Sequence, residues 1–293
     1  MQKYRIENDS IIFDNDFNEY LGPDYVSAIA KVKRVVFGDS FNKKVGHFPR
    51  NVKEIIFGRS FNQSLGEIPP GVEYLEFRNE FNQEIKKFPK ELKVLILGEK
   101  FNKPIKNLPD GLEKLAIGDS YNHILENLPN SIKILYIGDS FDKEIEKYPQ
   151  NLEYLHLGKN FNQFINNLPL SISRIIFSNK SNFNQLVDNL PKNLEYLKFG
   201  HSFNQYVFNF PKKIKYLEFG NTFNKPVNNL PIGLKSIIFG YFFNHQLDML
   251  PQTVTHIALS RKYNQSLNEL PNSLEILIIG YSKEKKKYFS FNL

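Results

Sequence analysis

The fold is indicated by the segment FNKPIKNLPDGLEKLAIG, residues 101–118, because versions of it recur every 20 residues along the chain. Phe-Asn begins nine such repeats, and Tyr-Asn or Phe-Asp begins three others. The spacing is 20 residues throughout except between Phe161 and Phe183, where it is 22. A fixed period of this length is typical of a solenoid, in which each repeat packs only against its neighbours.

Each repeat, numbered from its aromatic residue as position 1, carries the signals of one strand and one non-helical return. Positions 12, 15 and 17 are apolar, as in Leu112, Leu115 and Ile117, and the alternation at their end predicts a strand. Gly118 at position 18 lets the chain turn sharply. Pro109 at position 9 fixes φ and disfavours helix before it. We therefore expect an extended or polyproline-like return, with positions 1, 5 and 8 filling the interior.

This pattern predicts a β-rich, leucine-rich-repeat-like solenoid. We expect about 13 short parallel strands in one concave sheet, with little or no helix. The repeats occupy residues 29–280, with two extra residues near 179–182. Residues 1–28 are predicted to form an N-terminal cap, and residues 281–293 a basic C-terminal tail or cap. Phe17-Asn18 looks like the start of a repeat but stands too far upstream to be in register.

Two polar columns are expected to serve the scaffold. Asparagine recurs at position 2, where an amide stacked once per turn can both donate to and accept from unpaired backbone groups at a tight corner. Position 13 alternates between lysine and glutamate from Lys53 to Glu153. Neighbouring strands would then form a cross-strand charge ladder. We interpret both columns as structural and not as ligand sites.

The motif in residues 101–118 resembles the FNIP repeat, a family named for its Phe-Asn-Ile-Pro signature, and the match covers residues 41–280. The resemblance implies a leucine-rich-repeat-type solenoid. It also implies an origin among social amoebae or the giant viruses that infect amoebae. Some members of the family carry an F-box before the repeats. About 28 residues precede the first strand here, too few for that module, so we do not expect an F-box.

The residues that determine which partner binds are expected at positions 14 and 16, which point to the concave face of the predicted sheet. Tyrosine is frequent there, and its large, rigid, amphipathic ring is typical of interaction sites. Plain strand propensity is the alternative explanation, since aromatic and β-branched residues are favoured on any strand. The predicted partner-binding residues are Tyr74, Tyr136, Tyr154, His156, Arg174, Tyr196, Lys198, Tyr216 and Glu218.

The sequence offers no catalytic constellation. There is no cysteine and no phosphate-binding glycine loop, and Gly-Asp-Ser occurs three times at the same corner of the repeat. His156 and His256, the histidines predicted on the concave face, are five repeats apart, too far to share one metal ion. We therefore expect a protein that is not an enzyme and has no cofactor or metal.

Charge and hydropathy limit the partners. The net charge is +7, yet charges of both signs alternate and only Lys283–Lys287 forms a basic cluster. We expect a protein partner and neither a nucleic-acid nor a membrane partner. The alternatives are a structural solenoid that associates with itself through its ends, and a weak polyanion binder using distributed lysines. No signal peptide or apolar run of 18 residues is present, so we expect a cytoplasmic protein.

Overall fold

The structure, a computed structural model, describes residues 3–280 and the backbone of residues 290–292. The chain divides into two compact units, Met1–Leu152 and Glu153–Leu293, called here the N-terminal unit and the C-terminal unit. The basic cluster Lys283–Lys287 of the predicted tail lies outside the described residues.

The described part of the N-terminal unit contains eight strands and one short helix. β1 and β2 pair antiparallel, and β2 to β8 then pair in parallel, each with the next in chain order. The helix α1 (Pro23–Ile29) lies between β2 and β3. The strands are β1 (Tyr4–Glu7), β2 (Ser10–Phe13), β3 (Arg34–Val36), β4 (Glu54–Phe57), β5 (Tyr74–Phe77), β6 (Val94–Leu97), β7 (Lys114–Ile117) and β8 (Ile134–Ile137).

The described part of the C-terminal unit also contains eight strands, but no helix. Its strands are β9 (Tyr154–Leu157), β10 (Arg174–Phe177), β11 (Tyr196–Lys198), β12 (Tyr216–Glu218), β13 (Ser236–Ile238), β14 (His256–Leu259), β15 (Ile276–Ile279) and β16 (Ser290–Asn292). β9 to β15 are parallel, and β16 pairs antiparallel with β15. The two-residue insertion does not disturb the register, because Arg174 still pairs with Tyr196 and Tyr196 with Tyr216.

These elements confirm a leucine-rich-repeat-like β-solenoid with little helix. In the described residues, fourteen strands, β2 to β15, run parallel within their units, one more than predicted. The additional strand is β2, which the sequence placed in the cap. It joins the sheet because Ile11 aligns with Val35 and its buried side chain extends the same core.

The core consists of the strand residues at positions 12, 15 and 17 and the ring at position 1. Leu112 and Leu115 are fully buried. The rings of successive repeats stack almost in parallel, as Phe61 and Phe81 do at 6.0 Å and 10°. Phe77, at position 17 of one repeat, stacks on Phe81, at position 1 of the next, at 3.8 Å. Such aromatic pairs add about 0.5–1.5 kcal/mol each beyond the area that they bury, so the rings tie each turn to the next.

Proline at position 9 starts a tight turn that leads into the strand. The Leu112 N–H donates to the Pro109 carbonyl oxygen at 3.1 Å, and Leu194 and Pro191 repeat the bond at 3.0 Å. The proline therefore does more than exclude helix from the return segment, which was its predicted role. Its carbonyl closes the four-residue turn that delivers position 12 to the core.

Glycine at position 18 is required for a different reason from the one predicted. Among the described glycines, only Gly280 has a positive φ, so the corners do not depend on a left-handed residue. The cause is a close approach: a Cβ added to Gly118 would lie 2.1 Å from the carbonyl oxygen of Gly98, one turn earlier. Most repeats therefore keep position 18 free of a side chain, although Arg78 shows that the column admits an exception.

The prediction that Phe17-Asn18 stands outside the repeat register is wrong. The Phe17 ring stacks on Phe41 at 5.7 Å and 10°, as in the regular repeats. The Asn42 N–H donates to the Asn18 side-chain oxygen at 2.9 Å across 24 residues. The longer first repeat stays in register because α1 lies within it and takes up the extra residues.

Candidate functional site

The asparagine column at position 2 is part of the scaffold, as predicted. Asn62 Oδ1 accepts hydrogen bonds from the Asn82 backbone N–H at 2.9 Å and from the Gln83 side-chain amide at 3.0 Å. The same bond recurs in the C-terminal unit, where the Asn224 N–H donates to Asn204 Oδ1 at 2.9 Å. These side chains are engaged with the next turn, so the column serves cohesion between repeats.

The charge ladder at position 13 is also confirmed. Glu73 lies between Lys53 at 3.1 Å and Lys93 at 3.0 Å, and Lys215 pairs with Glu195 at 3.0 Å. Hydrogen bonds from Lys93 and Lys53 hold the pKa of Glu73 below its usual value. All these side chains are well exposed, so water screens the pairs and the ladder adds little stability.

The surface that remains is the sheet face opposite the core, formed by positions 14 and 16 and called here the open face. In β10, Arg174 is exposed, Ile175 is buried and Ile176 is half-buried, as the alternation predicts. All nine predicted partner-binding residues lie on this face. Tyr74 and Tyr136 belong to the N-terminal unit, and the other seven lie on β9 to β12 of the C-terminal unit.

In the C-terminal unit, Arg174, Tyr196 and Tyr216 form a continuous line, called here the aromatic row. The guanidinium carbon of Arg174 lies 5.1 Å from the centre of the Tyr196 ring. The Tyr196 and Tyr216 rings are 6.1 Å apart and tilted by 34°. Tyr216 is 49% exposed. Burial, with a contribution from the Glu218 charge, raises the pKa of Tyr196, so its hydroxyl remains a donor at neutral pH.

An ion pair lies beside the aromatic row on the same strands. Lys198 Nζ and Glu218 Oε1 are 3.3 Å apart, and their side chains are 20% and 10% exposed. The two residues are directly opposite in register. Glu218 therefore presents little surface of its own, which the sequence did not reveal. It can hold the Lys198 ammonium group in place, so the pair contributes one fixed donor to the face.

Tyr154 and His156 continue the open face on β9. Tyr154 pairs in register with Arg174, and burial raises the pKa of its hydroxyl. Both side chains are half-buried. His256 lies apart on β14, where Nδ1 is 2.7 Å from the Thr255 hydroxyl. Across the described residues, no group of three His, Asp or Glu side chains is arranged to hold a metal ion.

The structure does not bring Tyr74 and Tyr136 together in the N-terminal unit. The Tyr74 hydroxyl donates to Glu76 Oε2 at 2.6 Å, and burial followed by this bond raises its pKa. Tyr136 is 39% exposed three repeats later. Between them the sheet face ends in a groove of about 370 Å³, whose lining includes Ile96 and Ala116. This groove was not predicted from the sequence.

A second surface was also missed, on the return segments of the C-terminal unit. Position 4 is apolar in three successive repeats, at Phe164, Leu186 and Tyr206, and these side chains are 46–52% exposed. Phe208 extends this position-4 column by stacking on Tyr206 at 5.8 Å, and Lys225 lies over the same Tyr206 ring at 4.9 Å. A run of apolar residues at an exposed repeat position was the signal that could have revealed it.

One family model matches most of the chain. A family model described as the FNIP repeat matches residues 44–80, 65–100, 81–120, 121–148, 149–180, 183–222, 206–242, 223–262 and 243–282. No curated protein sequence is significantly similar to the chain.

Within the described residues, no helix is long and apolar enough to span a membrane.

Two solved structures are similar in fold. CroV588, described as a novel circular leucine-rich-repeat protein, is 30% identical with a TM-score of 0.68. The match covers 95% of the present chain but 54% of CroV588, so the chain spans about half of that protein. YopM, a leucine-rich effector protein from Yersinia pestis, is 22% identical with a TM-score of 0.62, over 86% of this chain and 78% of YopM.

Proposed function

We propose that this chain, which belongs to the FNIP repeat family, is a non-catalytic repeat scaffold whose C-terminal unit binds a protein partner. The contact surface is the open face, centred on the aromatic row. The observation that carries the proposal is the stacking of Arg174 on Tyr196 at 5.1 Å beside the exposed Tyr216. Stacked side chains lose little rotamer freedom on binding, so this surface is prepared for a partner.

The chemistry of the row indicates the kind of partner. The Arg174 guanidinium, stacked through its plane, can direct its N–H groups outward, and the tyrosine hydroxyls can donate hydrogen bonds. Lys198 adds a cation whose position Glu218 fixes. Residues 153–293 also hold 16 of the 38 Lys and Arg residues but only 8 of the 31 Asp and Glu residues. A partner surface rich in carboxylate and carbonyl oxygens suits this set of donors.

The test compares two matched double variants. Arg174→Ala with Tyr216→Ala removes one cation and one tyrosine from the row. Lys262→Ala with Tyr241→Ala makes the same change at another cation–ring pair of the C-terminal unit, which is 4.9 Å apart and off the open face. Partners captured from cell extract by the wild type are purified, and their Kd is measured against each variant.

We expect the row variant to weaken binding at least tenfold and the matched control to change it less than twofold. Thermal melting of both variants checks that they fold. Equal Kd values for the row variant and the wild type would contradict the proposed surface. Affinity that falls steeply with salt in every variant alike would instead favour the weak polyanion binder.

A second candidate function is self-association, and the position-4 column favours it. Phe164, Leu186 and Tyr206 repeat at the spacing of the turns, as do the stacked rings of Phe161 and Phe183, 6.3 Å apart. Such a column on a second copy can pack against it about a twofold axis. Sedimentation over a wide concentration range tests this, with Leu186→Ser as the variant. A wild type that stays monomeric throughout rejects it.

A further inference from the structure

The groove in the N-terminal unit lies where the glycine column at position 18 is open to solvent over two adjacent turns. Gly98 and Gly118 at position 18 are partly exposed, whereas Gly38 and Gly58 at the same position are buried. Ala116 at position 16 lies between larger neighbours and lines the same groove. The volume of about 370 Å³ is an order of magnitude above the roughly 30 Å³ of one water molecule, so a whole side chain fits.

The two ends of the groove have different chemistry. Tyr136 closes one end with an exposed aromatic ring, and Arg78 occupies position 18 at the other. Arg78 is already engaged, since its Nε lies 3.4 Å from Glu76 and its Nη1 lies 3.4 Å from Asp39. Arg78 therefore forms a wall of the groove, and the carboxylates of Glu76 and Asp39 offset its positive charge. Ile96 supplies an apolar side chain to the lining.

Glu99 and Asp119 form the rim of the groove at position 19 of the two open turns. Both are exposed, and in the described part of the chain neither forms an ion pair within 4.0 Å. The rim is consequently negative, and the groove is lined by Ile96, Ala116 and Tyr136 together with the polar residues Glu76, Arg78 and Asn79. A partly apolar groove beside two carboxylates matches a side chain with a long aliphatic stem and a cationic end.

We infer that this groove binds an arginine side chain presented by an extended segment of a partner protein. Its guanidinium can form a bidentate hydrogen bond with a rim carboxylate and stack against the Tyr136 ring. Its methylene groups can cover Ile96 and Ala116. Lysine offers a point charge without the planar fork, so arginine is the better fit. The inference concerns the N-terminal unit and does not depend on the aromatic row of the C-terminal unit.

The test is a titration of the isotope-labelled full chain with the peptide acetyl-Ala-Arg-Ala-amide, followed by NMR. The glycine amides act as built-in reporters. We expect the Gly98 and Gly118 signals to shift and the Gly38 and Gly58 signals, which come from buried equivalents, to remain in place. The same peptide with citrulline in place of arginine keeps the shape but loses the charge, and we expect it to bind at least tenfold more weakly.

Variants separate the groove from general surface charge. Glu99→Gln with Asp119→Asn neutralises the rim, and Ala116→Leu fills the floor; each should weaken arginine-peptide binding at least tenfold. Glu67→Gln with Glu84→Gln removes the same charge from exposed return segments and should leave binding unchanged. Equal shifts with the arginine and citrulline peptides, or equal losses in the rim and control variants, would overturn the inference. So would unperturbed Gly98 and Gly118 signals at saturating peptide.

The aromatic-row variant, Arg174→Ala with Tyr216→Ala, completes the design. If the groove inference is right, this variant binds the arginine peptide like the wild type, whatever happens to capture of the protein partner. Loss of peptide binding in this variant would contradict a site in the N-terminal unit. Failure of the groove and failure of the proposed partner surface are thus observed separately.

Discussion

Replacement of Asn62 by alanine breaks one step of the asparagine column and leaves the rest in place. Asn62 Oδ1 accepts the Asn82 backbone N–H at 2.9 Å and the Gln83 side-chain amide at 3.0 Å. Alanine removes this acceptor. The backbone N–H of residue 62 can still donate to Asn42 Oδ1, as it does at 2.9 Å in the native chain. The change therefore isolates the link between two successive turns.

The magnitude follows mainly from the lost Asn82 bond, because the Gln83 amide also donates to the Asn62 carbonyl oxygen at 3.3 Å, a bond that alanine retains. An N–H left without a partner costs about 1–3 kcal/mol when buried, and a lost neutral hydrogen bond about 0.5–1.5 kcal/mol. Asn82 is only half-buried, so water can compensate in part. We expect Asn62→Ala to lower the free energy of unfolding by about 2 kcal/mol, at the low end of that range. Asn62→Asp keeps an oxygen acceptor at the same place and should cost less than half as much.

Chemical denaturation gives the total effect, and amide hydrogen exchange locates it. A solenoid can unfold repeat by repeat, so one transition need not report the loss, whereas the Asn82 amide reports the broken bond directly. We expect the protection of the Asn82 amide to fall in Asn62→Ala and to persist in Asn62→Asp. Unchanged protection in the alanine variant, or equal losses in both variants, would show that the Asn62 side-chain oxygen does not link the two turns.

Three further substitutions test the scaffold. Gly118→Ala should lower the Tm, since its Cβ would lie 2.1 Å from the Gly98 carbonyl oxygen, whereas Gly111→Ala, which points into open space, should not. Burial raises the pKa of Tyr121 from 10 to about 12. Between pH 10 and 12 the unfolded chain loses this proton while the folded chain retains it, so the free energy of unfolding should fall over that range. Denaturation at several pH values should show a smaller fall in Tyr121→Phe. The hydrogen bonds that lower the pKa of Glu73 stabilise the folded state only while this carboxylate is charged, so their contribution to stability is lost as the pH drops through that pKa. Because these bonds are exposed to solvent, Glu73→Gln should shift the Tm only slightly, and not at all in high salt.

The repeat and its core could be predicted because they depend on periodicity and residue type alone. Apolar positions such as Leu112 and Leu115 fall on one side of the strand in every repeat, and an amide at position 2 suits a stacked column. The role of Gly118 could not be predicted in the same way. It depends on how closely one turn approaches the previous one, a distance that no pattern within a repeat encodes. Phe17 likewise joins the stack only because α1 takes up its extra spacing.

The positions of the candidate surfaces could be predicted from the sequence, but the exposure of their side chains could not. A parallel register with a 20-residue period places Tyr196 beside Tyr216, and the structure has them 6.1 Å apart. The burial of Glu218 to 8% exposure was not predictable, since it depends on the side chains that cover it from neighbouring strands. The groove arises in the same way from the small size of Ala116 relative to Ile96 before it and Tyr136 after it.

In a scaffold whose columns are almost uniform, binding specificity depends on departures from a column. Position 19 is one example, being acidic at Asp39, Glu99, Asp119 and Asp139 and basic at Arg59, Lys159 and Arg261. Under the two proposals, the groove of the N-terminal unit favours cations, while the aromatic row of the C-terminal unit favours hydrogen-bond acceptors. One ligand chemistry cannot satisfy both surfaces, so a partner that used both would need segments of opposite charge. Each surface can then be altered alone, because the stacked rings and the asparagine column that support it lie on other positions of the repeat.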